Sequence, residues 1–203
     1  MTATDWQNAA EPHAMLEFLQ SIGMSSDRKL RLFAVACSRR LWNSIDELGR
    51  NAVGVAERFA DGRAGPNELR VARLACQGAG GQAAWYAAAT KPAIAARNAA
   101  RSAQAGAATL RTEAEELLAQ ANFVGDIFGN PFLPLSVDQA WLTPDVVQLA
   151  HAIYADRTFD RMPALGDELE KADCTHFAIL GHCRGPGPHV RGCWVVDILL
   201  SRD

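Results

Sequence analysis

The sequence contains few of the features that mark secreted or membrane-spanning proteins. Its five cysteines are odd in number and have no spacing typical of a disulfide framework. The chain does not start with a basic segment followed by an apolar run, and the longest apolar candidate, residues 83–108, contains Pro92 and several cations. We therefore expect a soluble, cytoplasmic protein that does not enter a membrane.

Excess positive charge is also missing. The net charge of −3 argues against general nucleic-acid binding, because such proteins need a basic surface to displace counterions from phosphates. With 203 residues, of which 49% are hydrophobic, the chain can bury a core without disulfides or metal. We expect a single all-helical domain over residues 1–203, with possible sub-halves 1–129 and 130–203.

The common catalytic signatures do not occur in this chain. It has no His-Glu-x-x-His, no Gly-x-Ser-x-Gly and no Cys-x-x-Cys, which disfavours the familiar hydrolases, redox proteins and metalloproteases. Ser26 and Lys29 match Ser-x-x-Lys, but the partner motifs Ser-Asp-Asn and Lys-Thr-Gly are missing. The sequence thus leaves open whether the protein is an enzyme.

Apolar residues recur at spacings of three and four along most of the chain, and no run alternates with a period of two. This pattern predicts an all-α, single-domain bundle of about nine to eleven helices. A central helix is expected from an N-cap at Ser26 to Gly49. The Ala-rich segment 83–108 predicts two shorter helices separated at Pro92, which pack closely or lie at the edge.

The connection 130–143 has an unusual composition for a linker. It contains two prolines and several large apolar side chains. Long connections of this kind are uncommon unless they are ordered. We therefore expect residues 130–143 to form an ordered Pro-rich strap over a hydrophobic surface.

Three of the five cysteines and three of the five histidines lie between Cys174 and Cys193. Thiolates and imidazoles are the ligands that zinc prefers, so a zinc-binding protein or metal-dependent hydrolase is one hypothesis. Its candidate ligands are Cys174, His176, His182 and His189. Adjacent His182 and Cys183 would point about 100° apart on a helix. The alternative is that no cofactor binds and that Cys183 and Cys193 are small core residues.

A Gly/Pro turn at 184–188 precedes a predicted last helix over 189–200. The first N–H groups of a helix lack intrahelical partners, and nearby arginines would add charge, so this turn could bind an anion or a carboxylate of a partner. The candidate contact residues, with a carboxylate that could orient a histidine, are His182, Arg184, His189, Arg191 and Asp197. Alternatively, the basic residues among them satisfy carbonyls of neighbouring helices, or they pair with Asp197 or with the acids at 167–170.

The functional hypothesis that follows is a binding or adaptor module with the 182–191 turn as its contact surface. Its partner would be another protein or an anionic small molecule. One alternative is the zinc protein described above. Another is an enzyme or sensor that binds a phosphorylated or otherwise anionic small molecule at the same turn.

Several motifs resemble those of an uncharacterised family of bacterial proteins. These motifs are Met15–Leu19, Asp27–Ala34, Ile127–Phe132 and the C-terminal sequence PGPHVRGCWVVD. The resemblance implies a shared helical architecture and no particular substrate, since the family has no assigned activity. Where the family pattern implies a second cysteine after Cys37, this chain has Ser38, which weakens any metal site that involves Cys37.

Overall fold

The computed structural model describes residues 1–78, 81–108, 112–133 and 135–202, and within these ranges it contains helices and no strand. The all-α prediction is confirmed. The α-helices of the described ranges are α1 (Ala3–Gln7), α2 (Pro12–Ser21), α3 (Asp27–Arg39), α4 (Glu47–Ala60), α5 (Pro66–Ala75), α6 (Gln82–Ala87), α7 (Pro92–Ala107), α8 (Glu113–Phe128), α9 (Pro144–Asp156), α10 (Met162–Lys171), α11 (Phe177–Arg184) and α12 (Trp194–Leu199). Short 3-10 helices cover Gln139–Trp141 and Phe159–Arg161.

The chain forms two compact units, Met1–Val124 and Gly125–Asp203. The expectation of one domain over the whole chain stays a prediction. In the first unit, α3 packs against α4, α6 and α7 and is buried from Leu30 to Ser38. Across the described ranges, we find no helix with both the length and the hydropathy that a bilayer span requires.

The predicted central helix is wrong in its second half. α3 does begin after Ser26, whose hydroxyl accepts a hydrogen bond from the Lys29 N–H at 3.2 Å. However, it ends at Arg39, and α4 begins at Glu47. The cause is Asp46, whose carboxylate accepts the Gly49 N–H at 2.8 Å and so caps a new helix.

The Ala-rich segment forms two helices, α6 and α7, as predicted. α7 packs closely on α3 through buried alanines such as Ala95 and Ala99. Small side chains permit this approach because they add little volume between the helices. The buried guanidinium of Arg31 donates hydrogen bonds to the carbonyls of Ala87 and Ala89, at 3.0 and 2.7 Å, and so closes the C-terminal end of α6.

The second unit has its own core, built from α9 to α12. The predicted strap is confirmed for its described part, since Leu135, Val137, Trp141 and Leu142 pack against this core. Pro134 lies outside the described residues. The last helix was predicted from 189 but begins at Trp194. Residues 189–193 instead contain a turn closed by a hydrogen bond from the Cys193 N–H to the Val190 carbonyl at 2.9 Å, in which Gly192 has a φ of 96°.

Candidate metal centre

Four side chains of the second unit bring potential metal ligands together. These are Asp126, His182, His189 and Cys193, and one ligand atom of each lies within 4.8 Å of the others. Asp126 is in the last turn of α8 and His182 is in the last turn of α11. His189 follows in the turn after α11, and Cys193 directly precedes α12. Three separate backbone segments therefore meet at one point.

Hydrogen bonds hold the group together. Asp126 Oδ1 lies 2.8 Å from His189 Nδ1 and 3.1 Å from His182 Nε2, and Asp126 Oδ2 accepts the Val190 N–H at 2.8 Å. His182 Nε2 also lies 3.2 Å from Cys193 Sγ. Asp126 is only 4% exposed and Cys193 is not exposed. The carboxylate is thus removed from water and surrounded by donors.

The position of one ring proton follows from these contacts. The indole N–H of Trp194 donates to His182 Nδ1 at 3.2 Å. Because an indole nitrogen can only donate, Nδ1 must carry a lone pair, and the proton of the neutral ring is on Nε2. Among the described residues, the buried Nε2 of His189 has no hydrogen-bond partner.

The electrostatics favour a cation at this point. Burial raises the pKa of Asp126, but hydrogen bonds and charge interactions with His182 and His189 outweigh burial and hold the pKa below its ordinary value. Burial, followed by the Asp126 carboxylate, raises the pKa of the Cys193 thiol well above its usual value, although the N–H groups of Val195 and Val196 counteract this. A divalent cation would oppose the rise in the pKa of Cys193 by stabilising the thiolate, and it would stabilise the neighbouring carboxylate as well.

The group does not have the geometry of a cysteine-based catalytic triad. In such a triad one ring nitrogen contacts the thiol and the other contacts the carboxylate. Here His182 Nε2 contacts both Cys193 and Asp126, and Nδ1 is bound to Trp194. A thiol with a strongly raised pKa is also a poor nucleophile.

The ligand types and spacings fit a zinc ion. Zinc binds carboxylate oxygen, imidazole nitrogen and thiolate sulfur at about 2.0–2.3 Å, so a tetrahedral site separates its ligand atoms by about 3.3–3.8 Å. The three contacts measured within the group are 2.8, 3.1 and 3.2 Å. They are slightly shorter because they are direct hydrogen bonds. The other pairs of ligand atoms lie within 4.8 Å. Zinc binding would therefore need only small shifts of the four side chains.

The structure brings together two of the four ligands predicted from the sequence, His182 and His189. Cys174 lies in the apolar core of the second unit, and His176 stacks on the ring of Phe177 at 5.7 Å. Neither belongs to the group, and Cys193 and Asp126 take their places. Cys183 and Cys193 are both buried in the core of the second unit, as the alternative interpretation expected.

Asp126 was missed because it lies 63 positions before His189. One local signal could have identified it. A carboxylate in the last turn of a helix interacts unfavourably with the negative end of the helix dipole. Here the carboxylate also lies within the mostly apolar segment 124–128. Such a residue needs compensating donors or a cation from elsewhere in the fold.

The other residues of the predicted contact surface have separate partners. Arg184 pairs with Asp167 at 2.9 Å and with Glu170 at 2.6 Å. Arg191 is 7% exposed and donates to the carbonyl of Tyr154 at 2.7 Å. Asp197 is buried on α12, and the carboxylate beside the two histidines is that of Asp126. Binding of an anion or a partner at this turn stays a prediction.

Comparison of the chain with protein-family models, with curated proteins and with solved structures gave no match. The resemblance to an uncharacterised bacterial family stays a prediction. The function is therefore inferred from the geometry of the site.

Proposed function

We propose that the second unit binds one zinc ion through Asp126, His182, His189 and Cys193, and that this ion has a structural role. The observation that supports the proposal is the convergence of a carboxylate, two imidazoles and a thiol within 4.8 Å of one another. It adopts the zinc alternative raised by the sequence, with Asp126 and Cys193 replacing Cys174 and His176.

A structural role is favoured over a catalytic one by the number of ligands and by their burial. Catalytic zinc keeps one coordination position for water or substrate, whereas four protein ligands complete a tetrahedral site. The side chains of His182 and His189 are 19% and 8% exposed, and those of Asp126 and Cys193 are more deeply buried. A substrate would have little access to an ion at this point.

Charge balance also supports zinc at this site. Zn²⁺ with one carboxylate, one thiolate and two neutral imidazoles has no net charge. A neutral group costs much less to bury than an unpaired ion does. The ion would connect the end of α8 to α11 and to the turn 189–193, so that part of its binding free energy would stabilise the fold.

The adaptor and anion-binding hypotheses for the 182–191 turn have less support. Arg191 and Asp197 are buried, and Arg184 already pairs with two acids on α10. Cation binding at His182 and His189 would also use two of the five residues of that surface. Both hypotheses remain predictions for the parts of the turn that are exposed.

The test is elemental analysis of untagged protein purified in zinc-supplemented buffer, together with a matched pair of cysteine variants. We expect about one zinc per chain in the wild type and in Cys174→Ala, because Cys174 is a buried thiol outside the group. Cys193→Ala and His189→Ala should weaken zinc binding by at least about 100-fold, since each removes a ligand.

A chelator should lower the melting temperature of the wild type and of Cys174→Ala, and it should have little effect on Cys193→Ala. Wild-type protein without zinc would contradict the proposal. A Cys193→Ala variant that retains one zinc per chain would also contradict it.

A further inference from the structure

We infer that zinc occupancy is coupled to the hydrogen bond between Trp194 and His182, so that the metal-free protein keeps this bond and the zinc-loaded protein breaks it. The inference rests on the proposed zinc site. It adds a conformational consequence, because Trp194 is the first residue of α12 and α12 belongs to the core of the second unit.

The argument starts from the two nitrogens of His182. Nε2 is the nitrogen that faces the group, at 3.1 Å from Asp126 Oδ1 and 3.2 Å from Cys193 Sγ. Zinc would therefore bind the lone pair of Nε2. A neutral imidazole bound through Nε2 carries its proton on Nδ1.

The proton on Nδ1 is incompatible with the bond from Trp194. The indole N–H now donates to that nitrogen at 3.2 Å, and an indole nitrogen has no lone pair to accept a proton in return. Two N–H groups would then face each other. In the loading step the Nε2 proton of His182 would leave to water and Nδ1 would gain a proton from water. His189, whose Nδ1 faces Asp126 at 2.8 Å, would likewise lose its Nδ1 proton and gain one on Nε2. The Cys193 thiol would release its proton to the buffer as the thiolate binds zinc.

The surroundings of Trp194 limit how it can respond. Its ring lies 5.0 Å from the ring of His182, and a Cβ placed on Gly129 would be 3.2 Å from Trp194 Cγ. The indole is therefore packed between His182 and the backbone that follows α8. Loss of the hydrogen bond has to be accommodated by rotation of the indole or by a shift at the start of α12. Zinc binding would in this way change the packing of the core of the second unit.

The inference makes an unusual prediction about the Trp194→Phe variant. If Trp194 only supported the site, its removal would weaken zinc binding. If its N–H competes with zinc for the same tautomer of His182, its removal should strengthen zinc binding, by about three- to tenfold, which corresponds to the loss of one hydrogen bond. Trp141→Phe is the matched control, because Trp141 belongs to the same unit and its ring contacts His176.

The experiment is a competition titration of the full-length chain against a chromophoric zinc chelator. We expect Trp194→Phe to bind zinc more tightly than the wild type, and Trp141→Phe to bind with unchanged affinity. Because the Phe variant could fold poorly, nitrogen-15 NMR of wild-type histidine rings provides a second measurement. His182 should carry its proton on Nε2 without zinc and on Nδ1 with zinc, and the indole N–H resonance of Trp194 should shift.

The outcomes separate the two proposals. A wild-type chain that binds no zinc overturns both the zinc site and the coupling. A wild-type chain that binds zinc while His182 loses its proton from both nitrogens overturns the coupling alone. Zinc binding with the proton still on Nε2 overturns the coupling and also removes His182 from the set of ligands. Equal or weaker zinc binding by a folded Trp194→Phe variant would also overturn the coupling and leave the zinc site intact.

Discussion

Two buried arginines, Arg31 and Arg191, have closely similar surroundings. Each donates to helix carbonyls, Arg31 to that of Ala87 and Arg191 to that of Tyr154. Each guanidinium also lies over an aromatic ring, that of Phe59 at 4.9 Å for Arg31 and that of Tyr154 at 4.7 Å for Arg191. A cation is favourable at the C-terminal end of a helix. At the residue scale, then, these two charges belong to the interior of their units.

Replacement of Arg31 by methionine should lower the free energy of unfolding by about 3 kcal/mol, because buried carbonyls would lose a charged donor. Arg31 is 1% exposed and has bonds to Ala87, Ala89 and Thr90. The control is Arg97→Met. Arg97 is an exposed residue of α7 with no hydrogen bond or ion pair to any described residue.

The Arg97→Met variant should change the stability by less than about 0.5 kcal/mol. Urea unfolding, followed by circular dichroism, measures the free energy of unfolding of both variants. If the two variants unfolded at the same urea concentration, the structural role assigned to Arg31 would be wrong.

At the element scale, α8 is defined by local signals at both ends. It begins at a capping box, in which the Glu115 N–H donates to Thr112 Oγ1 at 3.2 Å and the Thr112 N–H donates to the Glu115 carboxylate at 2.8 Å. It ends before Gly129, which has a φ of 73°. This conformation and the close approach of Trp194 both favour glycine at position 129. The position of the Asp126 carboxylate depends on where this helix ends.

Two glycines four positions apart should respond oppositely to alanine. Gly129→Ala should destabilise the protein by about 1–2 kcal/mol, because it places a Cβ 3.2 Å from Trp194 Cγ at a positive φ. Gly125→Ala should stabilise it by about 0.5–1 kcal/mol, since Gly125 is inside α8 and a Cβ there would meet no atom within 4 Å. Thermal and urea unfolding of both variants measure the difference. Changes of the same sign would contradict this account of α8.

At the scale of the whole molecule, the proposed ligands belong to one unit only. Asp126 lies near the first residue of the unit Gly125–Asp203, and the other three ligands lie within residues 182–193. Bound ligands stabilise the parts of a protein that must open before the ligand is released. Zinc should therefore slow the hydrogen exchange of backbone amides in a restricted part of the chain.

Hydrogen exchange measured by mass spectrometry, with and without one equivalent of zinc, checks this expectation. Amides of α11, α12 and the turn 189–193 should exchange more slowly with zinc, whereas those of α3 and α4 should not change. The Cys193→Ala variant should give the same exchange rates in both conditions. Protection of α3 equal to that of α12 would show that zinc acts at another place.

Much of the fold could be predicted because helix signals are local. The cap at Ser26 acts on the N–H group three residues ahead, and the structure confirms it. The strap could be recognised from its prolines and apolar side chains. The boundary between α3 and α4 also has a local signal, the cap at Asp46. The apolar periodicity that continues to Leu48 conceals it in the sequence.

The composition of residues 174–193 was sufficient to include His182 and His189 among the candidate ligands. It could not separate them from Cys174 and His176, because packing decides which side chains of a short segment meet. Asp126 and the inward direction of Arg191 were decided only by the tertiary structure. Their partners lie 63 and 37 positions away along the chain, respectively. Apolar periodicity and helix caps depend on residues within one or two helical turns of each other. Contacts between distant segments depend on how the helices of a unit pack.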